Sequence, residues 1–185
     1  MASKLPIIST KRGDEGYTSL WSGERVPKNH LAIKCLAEID LMDSYLGLVK
    51  CKVEDKYKNI LNHIQSRLIY LKGEVATSPS GWERYREDKK YICEMDIDYL
   101  EEECLKIKKD LENMNFEISG WIKYGDSGEI SAYIDLCRAL ARKSEICLYD
   151  LQGIYYQEIS FCIKKYLNRL SDFLYWLSII STKTI

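Results

Sequence analysis

Residues 129–150 read EISAYIDLCRALARKSEICLYD, and wound at 3.6 residues per turn their side chains sort into two faces. Ile134, Cys137, Ala141, Ser144 and Leu148 fall on one face, and Asp135, Arg138, Arg142, Glu145 and Tyr149 on the other. A helix divided this way buries its first face against neighbours, and the small Cys, Ala and Ser side chains there let another helix approach closely. The second face holds candidate chemistry. Arg138 and Arg142 stand one turn apart and project together, which suits either a two-guanidinium clamp for a phosphate or carboxylate or a solvated charged face.

The same period recurs on both sides of this stretch. Cys35, Ile39, Met42, Leu46 and Val49 mark a helix from residue 29 or 30 to about 50; Ile60, Ile64, Arg67, Leu68 and Leu71 mark a second from 55 to about 72, before Gly73. Asp96 or Asp98 can cap a third helix reaching Met114, and Ile159, Ile163, Leu167, Leu170, Leu174 and Leu177 mark a last one over about 154–180. The three prolines, Pro6, Pro27 and Pro79, all lie outside these helices. Residues 75–90, with Trp82 and Tyr85 as anchors, and residues 115–128 read as loops, and residues 7–27 as a short strand with a polar loop. The expectation is one all-α domain over residues 1–185: an up-and-down five-helix bundle of ferritin-like type over 29–181, preceded by an N-terminal segment over 1–28.

Composition excludes several classes of function. The 27 Lys and Arg nearly balance the 28 Asp and Glu, leaving a formal net charge of −1 and no field to attract nucleic acid or an anionic membrane. The longest apolar runs, such as 173–180, fall far short of the roughly 20 residues that span a bilayer, so a soluble protein is expected. The seven cysteines include no C-x-x-C pair and stand with only two histidines, His30 and His63. They read as apolar packing thiols of a reducing cytoplasm rather than zinc ligands. The first six residues lack the apolar stretch of a secretory signal, and the expected localisation is cytoplasmic.

Three further groups stand out. Thr10-Lys11-Arg12-Gly13-Asp14-Glu15-Gly16-Tyr17-Thr18-Ser19-Leu20 combines glycines, hydroxyls and cations, which suit a triphosphate site by offering backbone donors, metal ligation and charge neutralisation; a surface turn has the same composition. Asn168, Ser171 and Asp172 share a helix face beside Arg169. Asp40 sits among Ala37, Ile39, Leu41 and Met42, where a carboxylate needs a partner, and Arg138 is the expected one.

In order along nearly the whole chain, these pieces resemble the PduO-type ATP:cob(I)alamin adenosyltransferases. The Thr-Lys-x-Gly-Asp-x-Gly-x-Thr-Ser-Leu pattern of that family matches residues 10–20, followed by Gly23-Glu24-Arg25-Val26 and Lys28. Ile39-Asp40, Ser44 and Leu46-Gly47-Leu48 correspond to its Val-Asp-Glu-Leu-Asn-Ser and Leu-Gly, with Leu41 and Asp43 replacing Glu and Asn. Gln65 and Leu68 through Thr77 resemble its Gln-x-x-Leu-x-x-Leu-Gly-x-x-Leu-Ala-Thr, without an identical match at Lys72-Gly73 and Val75. Arg138-Ala-Leu-Ala-Arg142-Lys-Ser-Glu145 resembles its Arg-Thr-x-x-Arg-Arg-Ala-Glu-Arg, with Ile146 in place of the last arginine, and Tyr166-Leu-Asn168-Arg-Leu-Ser-Asp172 matches without a gap. The chain departs at Phe116-Glu-Ile-Ser-Gly-Trp121, where the family has Phe-x-x-Pro-Gly-Gly, and at Asp135, which replaces a common histidine.

The resemblance implies a homotrimeric, cobalamin-adenosyltransferase-like bundle that transfers the 5′-deoxyadenosyl group of MgATP to cob(I)alamin, with ATP between the N-terminal segment of one subunit and the last two long helices of another. It implies that Thr10, Lys11, Gly13, Asp14, Thr18, Ser19 and Lys28 hold the triphosphate with Mg²⁺, and that Arg142, Glu145 and Asn168 contact the nucleotide. It further implies that Asp40 and Arg138 pair to fix the site and that Phe116 covers the lower face of the corrin. Phe116, Asp40, Arg138 and Arg142 are thereby the expected catalytic set. A cobalamin reductase and an adenosylcobalamin-dependent enzyme are the implied partners. A diverged member that binds nucleotide or corrinoid as a carrier or sensor is the alternative, and a bundle without ligand a third. Having little apolar surface, residues 10–28 are expected to order only with ATP.

Overall fold

The computed structural model describes residues 11–87, 91–117, 120, 123, 125, 128–155 and 160–181. Two short antiparallel strands, β1 (Tyr17–Ser19) and β2 (Arg25–Pro27), pair Tyr17 with Pro27 and Ser19 with Arg25. Helices α1 (Leu31–Lys50), α2 (Asp55–Val75), α3 (Trp82–Glu87), α4 (Glu94–Asn113), α5 (Glu129–Tyr155) and α6 (Phe161–Ile180) follow.

Local chemistry sets the helix ends. His30 caps α1, its Nδ1 accepting the Ala32 N–H at 3.2 Å. The cap of α4 is Cys93, and Asp96 sits at the third helical position, where its carboxylate accepts the Cys93 N–H at 3.0 Å. α2 runs through Gly73, and the ring of Tyr85 lies on that position: a Cβ there would overlap the Tyr85 hydroxyl. Residues 75–90 are therefore not merely a loop. Pro79 starts a 3₁₀ turn over Pro79–Gly81 that leads into α3, while the Tyr85 hydroxyl donates to Tyr70 O at 3.0 Å and the Trp82 indole to Thr77 O at 2.9 Å. Ile154 belongs to α5, with α6 beginning at Phe161; Ile159 lies outside the described residues.

The inward face expected of residues 129–150 is the buried one: Ile134, Cys137, Ala141, Ser144 and Leu148 have no exposure. α5 packs between α1 and α6, α6 continues to α4, and α1 to α2. The ring closes between α2 and α4 through Arg67 and Asp96, 2.9 Å apart, and through the ring of His63 against that of Tyr99. Successive long helices alternate in direction along the chain. Because α5 lies beyond α6, α4 runs parallel to its neighbour α6, as the pairs Glu94–Lys165 and Glu101–Arg169 show. The connection over 114–128 thus joins helices that are not neighbours, which accounts for its length.

Small residues along the α1–α5 seam bring the Cα atoms of Cys35 and Cys147 to 5.6 Å, and the two form a disulfide. The expectation of seven packing thiols is corrected here. Cys104 and Cys137 do pack as buried thiols, and burial pushes them up to about 11 and about 12. Among the described residues, no helix is long and apolar enough to cross a membrane.

Candidate functional site

The N-terminal loop and hairpin form the first group of polar residues. Thr10 lies outside the described residues; Lys11, Asp14, Ser19 and Lys28 are exposed, and Gly13 and Thr18 half-buried. Two turns shape the loop, Asp14 N–H donating to Lys11 O and Gly16 N–H to Gly13 O, and Lys28 N–H closes it onto Gly16 O at 2.8 Å. The end of the Lys28 side chain crosses directly over Gly13, where a Cβ would stand 3.2 Å from its Nζ. Gly13 thus makes room for an ammonium beside the backbone turns, an arrangement suited to phosphate oxygens. Leu20 and Val26 are buried, so the hairpin has an apolar anchor within the chain and does not depend on a ligand for all its order.

The second group lies across α5 and α6. Asn168 Nδ2 approaches Glu145 Oε1 at 3.5 Å, while Arg169 donates to Asn168 Oδ1 at 2.9 Å and is itself held by Glu101. This orients the Asn168 amide, with its nitrogen toward α5. Arg142 is exposed one turn before Glu145 and extends the same face. Among the described residues, no hydrogen bond or ion pair connects this group with the N-terminal loop.

Asp40 and Arg138 do not pair. Asp40 projects from the outer side of α1, its side chain 64% exposed, and meets Lys72 of α2 at 3.0 Å; Arg138 meets Asp135 of its own helix at 2.6 Å. Ile39 and Met42 point into the core while Asp40 points out, because residues one apart on a helix differ by about 100° in direction. Lys72 also reaches Asp43 at 3.0 Å, and Gln65 joins Asp43 at 2.8 Å to Lys50 at 2.6 Å. Lys72 carried no signal in the sequence beyond its place one turn after Leu68, and Asp135 stood one turn before Arg138 on the charged face.

Phe116 is half-buried at the end of α4, its N–H donating to Leu111 O at 3.0 Å, and with Lys108, Leu111, Glu112 and Trp176 it lines a cavity of 330 Å³. A second cavity of 510 Å³, between Glu101, Cys104, Leu105, Arg169, Asp172 and Tyr175, shares Lys108 and Trp176 with the first, and the Lys108 ammonium lies 4.9 Å from the Trp176 ring centre. This recess, whose aromatic lining is Phe116, Tyr175 and Trp176 among charged residues, adjoins the polar α5–α6 face through Arg169. Among the described residues no group of three or more His, Cys, Asp or Glu could hold a metal ion.

The sequence matches the cobalamin adenosyltransferase family over residues 8–181. It is 30% identical over 182 residues to a corrinoid adenosyltransferase of Mycobacterium leprae, covering 96% of this chain and 92% of that one. It is 29% identical over 180 residues to a cobalamin adenosyltransferase of Cupriavidus metallidurans, covering 96% and 89%. The corrinoid adenosyltransferase PduO of Salmonella typhimurium is 30% identical over 173 residues, 92% of this chain but 48% of the relative, so the chain spans about half the length of that protein. In fold, the chain is similar to a variant PduO-type ATP:corrinoid adenosyltransferase from Lactobacillus reuteri solved with cobalamin and ATP, with a TM-score of 0.81 at 22% identity and coverage of 93% and 91%.

Proposed function

Because this chain belongs to the cobalamin adenosyltransferase family, we propose that it transfers the 5′-deoxyadenosyl group of MgATP to the cobalt of a reduced corrinoid and releases triphosphate. The observation that carries this reading is the division of the polar residues into two groups, the Gly13–Lys28 loop and the Arg142–Glu145–Asn168 face, both with the chemistry of a nucleotide site and unconnected within the described chain. Each is half of a site that a second copy completes, as in a homotrimer. Leu41, Leu48 and Ile146 stand exposed on α1 and α5, apolar positions available to such a contact.

In the reaction the cobalt–carbon bond forms as the bond between the 5′ carbon and the triphosphate oxygen breaks, and the electron pair leaves with triphosphate. Reduced cobalt is itself a strong nucleophile, so the protein needs no general base. Its work is alignment and charge stabilisation of the leaving group. Lys11, Lys28 and Arg142 neutralise the phosphates, Thr10, Gly13, Thr18 and Ser19 hold them, and Asp14 orients the Mg²⁺ they bring; Glu145 and Asn168 fix the nucleoside. Phe116, on the wall of the recess it shares with Trp176, covers the lower face of the corrin and displaces the lower cobalt ligand, which makes Co(II) easier to reduce. Asp40 and Arg138 frame the site from separate pairs, with Lys72 and Asp135. The setting is the cytoplasm, with a reductase supplying the electron and an adenosylcobalamin-dependent enzyme receiving the product.

Mixing the protein with ATP, Mg²⁺ and chemically reduced cobalamin should produce the adenosylcobalamin absorption spectrum. Tight nucleotide binding without that spectrum would instead identify a carrier or sensor.

A further inference from the structure

A hairpin with three-residue strands is too small to hold its own position. In this protein it is fastened at its turn, the end opposite Gly13 and Lys28, to the strap of residues 76–85, which leads from the end of α2 into the first turn of α3. Trp21 N–H donates to Ala76 O at 2.7 Å, the Ser22 and Ser78 hydroxyls are 2.8 Å apart, and the Trp21 ring stands edge-on to Tyr85 with centroids 5.1 Å apart. The Arg84 guanidinium lies 5.7 Å from the Trp21 ring centre. The fit has no slack: a Cβ on Gly81 would come within 2.8 Å of the Ser22 Cβ.

The strap is in turn locked to α2. Tyr85 is anchored on Tyr70 O and lies on Gly73, while the Thr77 hydroxyl donates to Gly73 O at 2.7 Å and the Trp82 indole to Thr77 O. A continuous path of contacts therefore runs from the α2 backbone through Tyr85 and Trp21 into the turn of the hairpin. From there, about 10 Å of strand leads to the loop that carries Gly13 and Lys28.

We propose that the strap positions the triphosphate loop from behind, with Trp21 and Tyr85 as positioning residues that touch no substrate themselves. The inference rests on the assignment of that loop to MgATP and deepens it. A tilt at the fastened turn is carried along the strands to the loop, and a misplacement of about 1 Å at a reacting site can cost as much as 100-fold.

The test uses the full chain and three variants, Trp21→Ala, Trp21→Phe and Gly81→Ala, the last of which sets a Cβ 2.8 Å from Ser22 Cβ and 3.1 Å from Thr77 Cγ2, at the seam between turn and strap. Calorimetry should show MgATP affinity weakened about tenfold in Trp21→Ala and Gly81→Ala and restored in Trp21→Phe, with corrinoid affinity and Tm unchanged. Hydrogen exchange without nucleotide should show the Trp21 amide protected in wild type and exposed in Trp21→Ala. Losses of corrinoid affinity and Tm in parallel with MgATP affinity would reduce the strap to a merely structural element and overturn the proposal. Wild-type binding of MgATP that survives undiminished in both weakened variants removes this inference alone, whereas wild-type protein that binds no MgATP removes the functional reading with it.

Discussion

Lys72 holds Asp40: the ammonium, reaching from α2, sits 3.0 Å from that carboxylate and 3.0 Å from the carboxylate of Asp43. The two acids differ in setting, since the Asp40 side chain is 64% exposed and that of Asp43 only 20%. Solvent screens the first pair, so Asp40→Asn should cost at most about 1 kcal/mol of stability. Lys72→Met should cost more, because it leaves Asp43 without its cation beside a second carboxylate. Asp40→Asn and Arg138→Ala, having separate partners, should add within about 0.5 kcal/mol in urea unfolding. Coupling well beyond that would show that the two residues meet in the assembled protein.

Arg142 is exposed on α5 and no ion pair of the described chain uses it, so its removal should leave the bundle intact. Arg142→Ala should keep the wild-type Tm within about 2 °C. Its affinity for MgATP should fall by about tenfold or more, as expected for loss of a charge-assisted hydrogen bond of about 1.5–3 kcal/mol. Titration calorimetry checks this, and unchanged affinity would exclude Arg142 from the nucleotide site.

Most of the frame was legible in the sequence because helical periodicity reports which side faces inward. The five residues assigned to the inner face of α5 are all fully buried. Periodicity does not report rotation at a single position judged by its sequence neighbours, which is why Asp40 was given an apolar setting that belongs to Ile39 and Met42. Nor does it report contacts between irregular segments. Trp82 and Tyr85 were recognisable as anchors, but what Tyr85 anchors, Gly73 on one side and Trp21 on the other, depends on a close approach that no local pattern encodes. The Cys35–Cys147 link was hidden for a related reason, since 112 residues separate its ends and only the packing of α1 on α5 brings them together.

Phe116 combines half-burial with a place on the wall of the 330 Å³ cavity, so Phe116→Ala should enlarge that recess without unfolding the chain. MgATP affinity should be unchanged, while kcat with cobalamin falls by about tenfold or more, the signature of an interaction made on the way to the transition state. Electron paramagnetic resonance of bound Co(II) cobalamin should show the lower ligand displaced in wild type and retained in the variant. A variant with wild-type kcat and spectrum would remove Phe116 from the corrin site.

Glu74 gives the bundle a pH response that can be isolated from the rest of the chain. It is 8% exposed on α2 and accepts the Ile92 N–H at 2.8 Å. Burial raises its pKa from 4.5 to about 7, outweighing the Ile92 hydrogen bond and the Arg86 guanidinium, which lower it, while Asp96 adds to the rise. The folded protein therefore binds this proton more tightly than the unfolded chain, and the associated stability is fully present below pH 4.5 and lost as the pH rises to about 7. A shift of this size corresponds to about 3 kcal/mol. Glu74→Gln keeps an oxygen for the Ile92 N–H but carries no charge, so its stability relative to wild type should rise across that window and level off above pH 8. Comparing the two proteins by urea unfolding at several pH values cancels every other titrating group. A difference that does not change with pH would show that Glu74 is ionised in the fold at the same pH as in the unfolded chain.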